Sequence, residues 1–387
     1  MYDIDNTRLY SPFLREEHHQ WREQMRRFVE REISPHINQW DEEGHLPAGL
    51  WHKAAQVGLL QLGYPESYGG VPGDVFHTLV AAEELARCGA GGLYASLMVH
   101  GIALPPLVHY GSEALRSAVV PPVLRGERHI SLAVTEPGAG SDVANIQCRA
   151  RSSGDHYVVT GEKTFITGGM RADWFTTAVR TGEEGFGGIS LLLIPAAAAG
   201  VERQALDRKQ GWWCSDTASI FFDEVKVPRN NLIGEENGGF LPIVHNFNGE
   251  RLGIAASCVG YSRVCLQEAI EWAQARKTFG KRLADHQVIR HKFAGMQQRI
   301  NATQAYLELC ACAEQQGQLK VSDVSLLKVQ ATETMEFCAR EAMQVMGGAG
   351  YMRGSRTERI YREVRVNAIG GGSEEILRDL ASRQMGI

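Results

Sequence analysis

At 387 residues, 44% of them hydrophobic and 22% charged, the chain has the composition of a folded globular protein with two or three domains. Its formal net charge of −5 excludes the concentrated positive surface that neutralises phosphates, so no nucleic-acid partner is expected. The eight cysteines are scattered, with no CxxC pair or zinc-like Cys/His spacing, so we expect reduced thiols, a cytoplasmic location and no bound metal.

The N-terminal segment and the most apolar stretch argue against export and membrane insertion. Residues 1–12 lack a basic region followed by an apolar run, so no secretory signal is predicted. The longest apolar stretch, Ile189 to Val201, is short and is interrupted by Pro195 and Gly200. Because a membrane-spanning helix needs about 20 apolar residues, no membrane span is predicted.

The first block, residues 1–128, is predicted to be an α-helical domain. A stretch rich in glycine and proline, residues 63–73, separates its first helix from further helical pattern that begins near Asp74. The apolar face of the first helix recurs with the period of an α-helix and consists of Trp21, Met25, Phe28, Val29 and Ile33.

The second block, residues 129–237, changes to strand patterns and is predicted to be a β-barrel-like domain. Its first strand candidate, residues 130–135, is an apolar run bounded by glycines and Pro137. The turn residues Ser152 to Asp155 predict a β-hairpin, because serine, glycine and aspartate favour tight turns. The two strands of this hairpin and two later strand candidates are residues 146–151, 156–160, 189–194 and 219–227.

The third block, residues 238–387, returns to the helical period and is predicted to be a four-helix bundle. One helix seam in this block consists of Ile289, Phe293, Met296, Ile300, Thr303 and Leu307. The three blocks together predict an α+β multi-domain fold, with helices first, a β-domain in the middle and helices last.

A turn of small residues carries the first functional signal. Residues 133–142 read AVTEPGAGSD, and such a turn lets backbone N–H groups approach an anionic ligand closely. Gly138 and Gly140 lack the third glycine of a dinucleotide-binding fingerprint and no clear helix follows, so that kind of site is not favoured. A plain turn remains the alternative interpretation.

Three further signals follow in chain order, and each has a structural alternative. Residues 165–169 read FITGG and continue to Trp174, which could also be a strand end with a glycine turn. Residues 276–283 read RKTFGKRL, which could also be the solvated end of a helix. The glycine-rich runs QVMGGAGY and IGGGSEEI, residues 344–351 and 369–376, could also be plain turns.

Taken together and in this order, the four segments resemble those of the acyl-CoA dehydrogenase family, and the resemblance covers nearly the whole chain. It implies the three-domain fold of that family and an FAD-dependent enzyme. The implied reaction converts a fatty or branched acyl-CoA into a trans-2-enoyl-CoA and passes a hydride to flavin N5. The implied partners are electron-transferring flavoprotein, as electron acceptor, and further copies of this chain in a homotetramer built as a dimer of dimers.

The resemblance also assigns residues to FAD. Val134 and Thr135 are implied to lie at the flavin ring and Thr167 at its N5 edge. Arg276 is implied to reach the FAD pyrophosphate of a neighbouring subunit, a task that suits the planar guanidinium. Gln287 and residues 344–348 are implied to serve the same neighbouring FAD. Phe165 stands where the family commonly has tryptophan. The complete set of implied FAD contacts is Leu132, Val134, Thr135, Gly140, Ser141, Phe165, Thr167, Arg276, Phe279, Gln287, Gln344, Val345, Gly347, Gly348, Ser373 and Glu375.

The catalytic base is where this sequence departs from the commonest family pattern. Many members have a glutamate in the last loop, at the position that aligns here with Gly371. Long-chain and isovaleryl members instead carry the base just before an arginine, and Glu250 precedes Arg251 at 26 residues before Arg276. The resemblance therefore predicts that Glu250 is the base and faces Gly371 across one active site. A solvated glutamate at a helix start is the alternative.

Substrate contacts are implied for a small set of residues: Ser141, Asn248, Arg251, Gly371 and Gly372. The N–H of Gly371 and a ribityl hydroxyl of FAD are implied to hold the thioester carbonyl, which stabilises the developing enolate. Burial beside an apolar substrate is expected to raise the pKa of Glu250 towards that of an effective base.

The sequence leaves two questions open, the class of protein and the acyl group of the substrate. The competing enzyme class is a flavin oxidase or monooxygenase on the same fold, although two-domain acyl-CoA oxidases are generally longer chains. A DNA-binding relative or an acyl-CoA-binding scaffold is less consistent with the net charge and with the presence of Glu250. The acyl group is also open, because Gly89, Gly91 and Gly92 could leave space for a long or branched chain or could form the turn before the pocket-floor helix.

Overall fold

Helices form the first part of the computed structural model, which describes residues 4–387. Residues 1–3, the start of the predicted N-terminal domain and of the segment inspected for a secretory signal, lie outside the described residues. The helices of this part are α1 Glu16–Phe28, α2 Ile37–Glu43, α3 Gly49–Gln56, α4 Val75–Leu85, α5 Gly91–Leu97, α6 His100–Tyr110 and α7 Glu113–Leu124.

The predicted apolar face of the first helix packs into the core of the N-terminal helices. Its buried members are Met25, Phe28, Val29 and Ile33. Helix α1 continues past its last α-helical residue as a π-helical turn, Val29–Ile33. Helix α4 begins directly after Asp74, whose side chain accepts a hydrogen bond from the His77 backbone N–H and so caps the helix.

One helical stretch within residues 4–387, Gly91–Tyr110, is long and apolar enough to cross a membrane by length and composition alone. It is interrupted between α5 and α6, and 61% of its most apolar window is buried inside the protein. A core helix of a folded protein passes the same test, so this stretch is weak support for a membrane span.

A mixed β-sheet follows the helices. Its strands are β1 Ile130–Ala133, β2 Arg149–Ser153, β3 His156–Thr167, β4 Trp174–Arg180, β5 Ile189–Pro195, β6 Val201–Ala205, β7 Thr217–Pro228 and β8 Leu232–Ile233. The strand order is β6-β7-β3-β2-β4-β5-β8, and β1 runs parallel to β4. Among the described residues β6 and β8 do not pair with each other, so the sheet is open rather than closed into a barrel.

The predicted hairpin is present between β2 and β3. Ser153 pairs with His156 across a two-residue turn, in which Gly154 has a φ of +63° that glycine adopts without strain. Strands β4 and β6 were absent from the sequence predictions. Strand β4 is buried along most of its length and β6 is short and mostly exposed, so neither shows the alternation that reveals a half-buried strand.

The last part of the chain is again helical, and α10 packs against each of the other helices of this part. Five α-helices lie here among the described residues, where a four-helix bundle was predicted. The elements are α8 Phe240–Ala275, β9 Lys277–Thr278, β10 Lys281–Arg282, α9 Gln287–Gln315, α10 Val321–Met346, α11 Arg356–Ile369 and α12 Glu374–Gln384. The predicted seam of α9 packs into this core, with Met296, Ile300, Thr303 and Leu307 buried.

Helix α8 joins the N-terminal and C-terminal helices into one core. Its buried residues pack with Phe76 and Ala86 of the N-terminal part as well as with α10. The approach is close, because a Cβ atom built on Gly260 would lie 2.6 Å from the Cβ of Ala86. The packing fixes α8 firmly, and the first third of this helix carries the predicted base.

Candidate active site

The predicted base lies well inside the longest helix. Glu250 is half-buried in the first third of α8, and the neighbouring Arg251 is buried. Burial raises the pKa of Glu250 to about 6, while the positive charges of Arg251 and Lys328 act in the opposite direction. The alternative of a solvated glutamate at a helix start is therefore wrong for this residue.

Gly371 lies across from Glu250. A Cβ atom built on Gly371 would lie 3.8 Å from the carboxyl carbon of Glu250 and 3.8 Å from its Oε1. The same Cβ would come within 2.9 Å of Ile254 Cδ1, and the φ of Gly371 is +68°. The two positions thus face each other across one space, and a residue other than glycine would be strained at 371.

Two cations hold the turn that carries Gly371. Arg251 Nε donates to the Gly371 carbonyl at 3.2 Å. The buried ammonium of Lys328, on α10, donates to the carbonyls of Ala368 and Gly372, each at 3.0 Å. The turn between α11 and α12 is therefore fixed through two of its own carbonyl groups and one in the last turn of α11.

Several polar groups beside Glu250 have no partner within residues 4–387. Asn248 Oδ1 and Arg251 Nη1 are buried and make no hydrogen bond. The backbone N–H of Gly371 makes no hydrogen bond to another backbone group there. Since buried polar atoms are nearly always paired in folded proteins, these groups fit the binding of a polar ligand.

A tyrosine that was not among the predicted site residues lies close to the same space. The hydroxyl of Tyr94, on α5, lies 2.7 Å from a Cβ atom built on Gly253, three residues after Glu250. The missing side chain at Gly253 therefore makes room for the phenol. Burial, and to a smaller extent the charge of Glu250, raises the pKa of Tyr94, so the phenol stays protonated and can donate a hydrogen bond.

The three glycines near the expected pocket floor serve close packing. Gly89 ends a short helix at a φ of +69°, and a Cβ atom there would lie 2.6 Å from the Cβ of Arg356. A Cβ on Gly91 would lie 2.5 Å from Trp212 Nε1, and one on Gly92 would lie 2.9 Å from Trp212 Cα. Gly89 therefore lies in the turn before α5, Gly91 and Gly92 form its first two residues, and none of the three leaves space for an acyl chain.

A buried ion pair supports the first of the predicted cofactor segments, at the end of β1. Lys163 Nζ donates to the carbonyl of Val134 at 2.9 Å and to Glu136 Oε1 at 2.8 Å. The backbone N–H of Thr164 donates to the Thr135 carbonyl at 2.9 Å. These bonds fix the backbone of Val134 and Thr135, where the edge of a flavin ring is predicted to bind.

Phe165 and Thr167 lie beside that strand end, where β3 and β7 change register. Phe165 is 69% exposed and has a φ of +59°, an unusual conformation for a bulky residue that marks functional sites. In the small-residue turn that follows Thr135, Cβ atoms built on Gly138 and Gly140 would have no atom within 4 Å. An uncovered aromatic face and an open small-residue turn fit a flat ring that is linked to phosphate groups.

Arg276, predicted to serve a neighbouring subunit's cofactor, lies far from Glu250. It directly follows α8, and a rise of about 1.5 Å per residue puts it about 39 Å from Glu250 along the helix, too far to reach the Glu250 site of its own chain. The exposed residues predicted to serve a neighbour's FAD are Arg276, Gln287, Gln344, Gly347 and Gly348, and Phe279, another predicted FAD contact, is exposed as well. Their role in a neighbour's site stays a prediction.

The remaining residues predicted to contact FAD or substrate differ in how exposed their side chains are. Val345 is 5% exposed and packs into the helical core, so its side chain is not available to a cofactor. The Ser373 hydroxyl accepts a hydrogen bond from the Ile376 N–H and caps α12. The other positions are open to a ligand, with Ser141 and Glu375 exposed and Leu132 half-buried.

Comparison with known proteins gives the same family for all three parts of the chain. Family models of the acyl-CoA dehydrogenase N-terminal, middle and C-terminal domains match residues 15–127, 131–225 and 237–386. Acyl-CoA dehydrogenase AFT10-1 of Alternaria alternata is 40% identical over 95% of this chain and 90% of that protein. The mitochondrial long-chain specific acyl-CoA dehydrogenase of Mus musculus is 33% identical over 99% and 89% of the two chains.

A solved structure shows the same architecture. The crystal structure of a probable acyl-CoA dehydrogenase from Mycobacterium abscessus superposes with a TM-score of 0.94 at 44% identity. The match covers 96% of this chain and 99% of that chain. The helical, β-sheet and helical parts described above therefore occur in the same arrangement in a relative.

Proposed function

This chain belongs to the acyl-CoA dehydrogenase family, and we propose that Glu250 is the base in its FAD-dependent oxidation of an acyl-CoA thioester. The observation that carries the proposal is the position of the Glu250 carboxyl 3.8 Å from where a Cβ would stand at Gly371. A carboxylate and a glycine whose N–H makes no hydrogen bond to another backbone group within residues 4–387 thereby face one space. This pair suits removal of a proton next to a carbonyl group.

The N–H of Gly371 has the task of binding the substrate carbonyl. An α-proton of a thioester is too weakly acidic for a free carboxylate unless the developing enolate oxygen is stabilised. The Gly371 N–H donates to that oxygen. The Gly371 carbonyl, which belongs to the following peptide unit, accepts from Arg251 Nε at 3.2 Å and so anchors the residue that carries the donor on its C-terminal side. Exclusion of water by the substrate strengthens this hydrogen bond.

Glu250 has the task of accepting the α-proton. A pKa of about 6 keeps the carboxyl largely ionised at neutral pH and makes it a stronger base than an ordinary glutamate. Its position inside α8 limits its movement, which places the carboxylate at the α-carbon of a bound thioester. The α-proton moves to the carboxylate as the carbonyl oxygen gains charge.

The cofactor that fits the middle domain is FAD. Val134, Thr135 and Thr167 would hold the flavin ring, Phe165 would cover it, and Ser141 would contact the phosphates. When bound, FAD supplies the acceptor for the hydride that leaves the β-carbon of the substrate. The exposed, strained Phe165 and the open turn at Gly138 and Gly140 support this assignment.

The substrate class and the assembly are further parts of the proposal. We place the chain with the long-chain and isovaleryl-type members, because the base lies on α8 and not in the last turn. Exposure of Phe279 and of Arg276, the latter about 39 Å from Glu250 along α8, supports a homotetramer whose dimers share FAD sites. Electron-transferring flavoprotein is the proposed electron acceptor.

The location is a further part of the proposal. All eight cysteines are free thiols, which supports a reducing compartment such as the cytoplasm.

The test is anaerobic mixing of the FAD-loaded protein with butyryl-, octanoyl-, palmitoyl- and isovaleryl-CoA, followed by absorbance. We expect at least one of these to bleach the flavin in a single turnover and to yield one equivalent of trans-2-enoyl-CoA. Bound FAD that no acyl-CoA in this panel reduces would contradict the proposed function. Faster reoxidation by air than by electron-transferring flavoprotein would favour the oxidase alternative.

A further inference from the structure

A buried lysine that the mechanism above does not use lies behind the glycine turn. Lys328 is fully buried on α10, on the same helical face as the core residues Val324 and Met335. Its only hydrogen bonds within residues 4–387 are to the carbonyls of Ala368 and Gly372, each at 3.0 Å. It forms no ion pair there, which is unusual because a buried ammonium is costly without an acidic partner.

The other fully buried lysine shows what a purely structural role looks like. Lys163 also donates to a backbone carbonyl, that of Val134, but it forms an ion pair with Glu136 at 2.8 Å. The carboxylate of Glu136 thus neutralises the charge of Lys163. Burial lowers the pKa of Lys328 to about 8, so at neutral pH its ammonium is still largely charged and faces the turn without a carboxylate partner.

The turn needs this support because its own backbone gives it little. Gly370, Gly371 and Gly372 follow one another, and the last two have φ values of +68° and +103°. Glycines in such conformations move easily, since no side chain restricts them. Arg251 holds the Gly371 carbonyl, and Lys328 holds the Gly372 carbonyl that follows it and the Ala368 carbonyl in the last turn of α11.

Resting on the proposed function, we propose that Lys328 is a positioning residue for acyl-CoA oxidation. Its ammonium fixes the carbonyls of Ala368 and Gly372 so that the N–H of Gly371 points at the thioester carbonyl, opposite Glu250. Misplacement of such a donor by about 1 Å can cost about a hundredfold in rate. Lys328 acts through the turn and does not itself touch the substrate.

The charge of Lys328 has a second effect, on the base. Two cations influence the carboxyl of Glu250, Arg251 beside it on α8 and Lys328 on α10, and both lower its pKa against the effect of burial. The acidic groups that influence Lys328 in turn are Glu374 on α12 and Glu250 itself, together with the thiol of Cys258. Removing the lysine charge leaves Arg251 as the remaining cation, so the pKa of Glu250 rises.

The experiment separates the hydrogen bonds of Lys328 from its charge. Lys328→Met removes both, whereas Lys328→Gln keeps N–H donors and removes the charge. Lys292→Met is the matched control, because it removes a lysine that contacts α10 at Glu341, away from the turn. Each protein is checked for FAD content and assembly before its rate of flavin reduction is measured with the fastest acyl-CoA of the panel.

Three measured quantities are expected to change in Lys328→Met: the rate of flavin reduction, its pH midpoint and the infrared stretch of the substrate carbonyl. The rate of flavin reduction at saturating substrate falls about a hundredfold, and its pH midpoint rises above that of wild type. In a Glu250→Gln background, where bound substrate is not oxidised, binding lowers the infrared stretching frequency of an isotope-labelled thioester carbonyl relative to free acyl-CoA. This shift is smaller when Lys328→Met is added. Lys328→Gln shows the raised pH midpoint with a smaller loss of rate, and Lys292→Met behaves as wild type.

The outcomes distinguish this inference from the proposed function. If no acyl-CoA reduces wild type, the proposed function fails first. If wild type is active and Lys328→Met matches its rate, pH midpoint and carbonyl stretch, Lys328 has no positioning role. Loss of folding or of FAD in both the Met and the Gln variants, with no change specific to the carbonyl or to pH, would show a structural role and overturn the proposal.

Discussion

The active site has two walls that are held in place by different means. Glu250 lies in a 36-residue helix that is held rigid by its own backbone hydrogen bonds together with packing against the N-terminal and the C-terminal helices. Gly371 lies in a glycine turn whose carbonyls are fixed by side chains from two other elements, Arg251 and Lys328. The group that must move a proton therefore stands on a rigid element, and the group that binds the carbonyl depends on outside support.

This difference predicts two kinds of response to substitution. Changes on the helix wall at Glu250 act on the chemistry of the carboxyl group and leave the fold intact. Changes in the turn act on geometry and strain, because Gly371 has a φ of +68° and faces Ile254 at close range. The following predictions test this contrast in order of decreasing effect.

The largest effect is expected for Glu250→Gln. The amide is nearly the same size but cannot accept the α-proton, so flavin reduction at saturating acyl-CoA should fall by at least about 10³ with FAD still bound. Glu271→Gln is the matched control, since Glu271 is exposed on the same helix. Stopped-flow bleaching at a near-normal rate in Glu250→Gln would show that the base lies elsewhere.

A smaller loss is expected for Gly371→Ala. The added Cβ meets Ile254 Cδ1 at 2.9 Å, and a left-handed conformation costs an alanine about 1–2 kcal/mol. The turn should shift, and the rate of flavin reduction should fall about 10- to 100-fold with a modest loss of thermal stability. Gly295→Ala on α9, where the new Cβ would lie 4.0 Å from Phe337, should leave the rate unchanged. Equal rates for the two variants would contradict a geometric role for the turn.

The pH dependence of kcat/KM in the unmodified protein measures the ionisation of Glu250, the group that α8 contributes to the active site. The base works in its ionised form, and the pKa of Glu250 is raised to about 6. The value of kcat/KM should therefore fall about tenfold per pH unit as the pH drops below the pKa of Glu250. Glu271→Gln should keep the same profile. A profile that is flat down to pH 4.5 would mean that Glu250 does not titrate where the account requires.

The smallest effect is on stability, and its sign follows from the same pKa. The pKa of Glu250 is raised from 4.5 when the chain folds, so ionisation costs stability as the pH rises through about 6. Glu250→Gln should be slightly more stable than wild type at pH 8, by about 1 kcal/mol or less. The difference should vanish near pH 4.5. Thermal unfolding at several pH values measures it, and a variant that is less stable than wild type at pH 8 would count against burial of the charge.

The sequence allowed the domain order and the hairpin at Gly154 to be predicted, because each leaves a local pattern. That Glu250 faces Gly371 was predicted from the family resemblance and is confirmed by their proximity, whereas its role as base stays a prediction. Lys328 was missed because its acceptors are backbone carbonyls 40 and 44 residues later, and carbonyls carry no sequence signature. The one available signal is a lysine on the apolar face of α10. Tyr94 was missed because only the fold brings it to Gly253.

Other predictions needed the structure for a physical reason. Gly91 and Gly92 suggest open space in the sequence, but Trp212 occupies that space. Val345 belongs to a glycine-rich run, yet its own side chain faces the helical core. A glycine pattern shows where the backbone is unrestricted, and only tertiary packing decides what fills the room.

The most direct test of the two-wall account moves the base from one wall to the other. Glu250→Gly alone should be inactive, and adding Gly371→Glu should restore the rate at least about tenfold, because position 371 lies 3.8 Å from the present carboxyl. Recovery should stay below wild type, since a φ of +68° and the contact with Ile254 strain the new side chain. Single-turnover bleaching across the acyl-CoA panel measures it. No recovery with any substrate, in a double variant that folds and binds FAD, would contradict the claim that residues 250 and 371 face one active site.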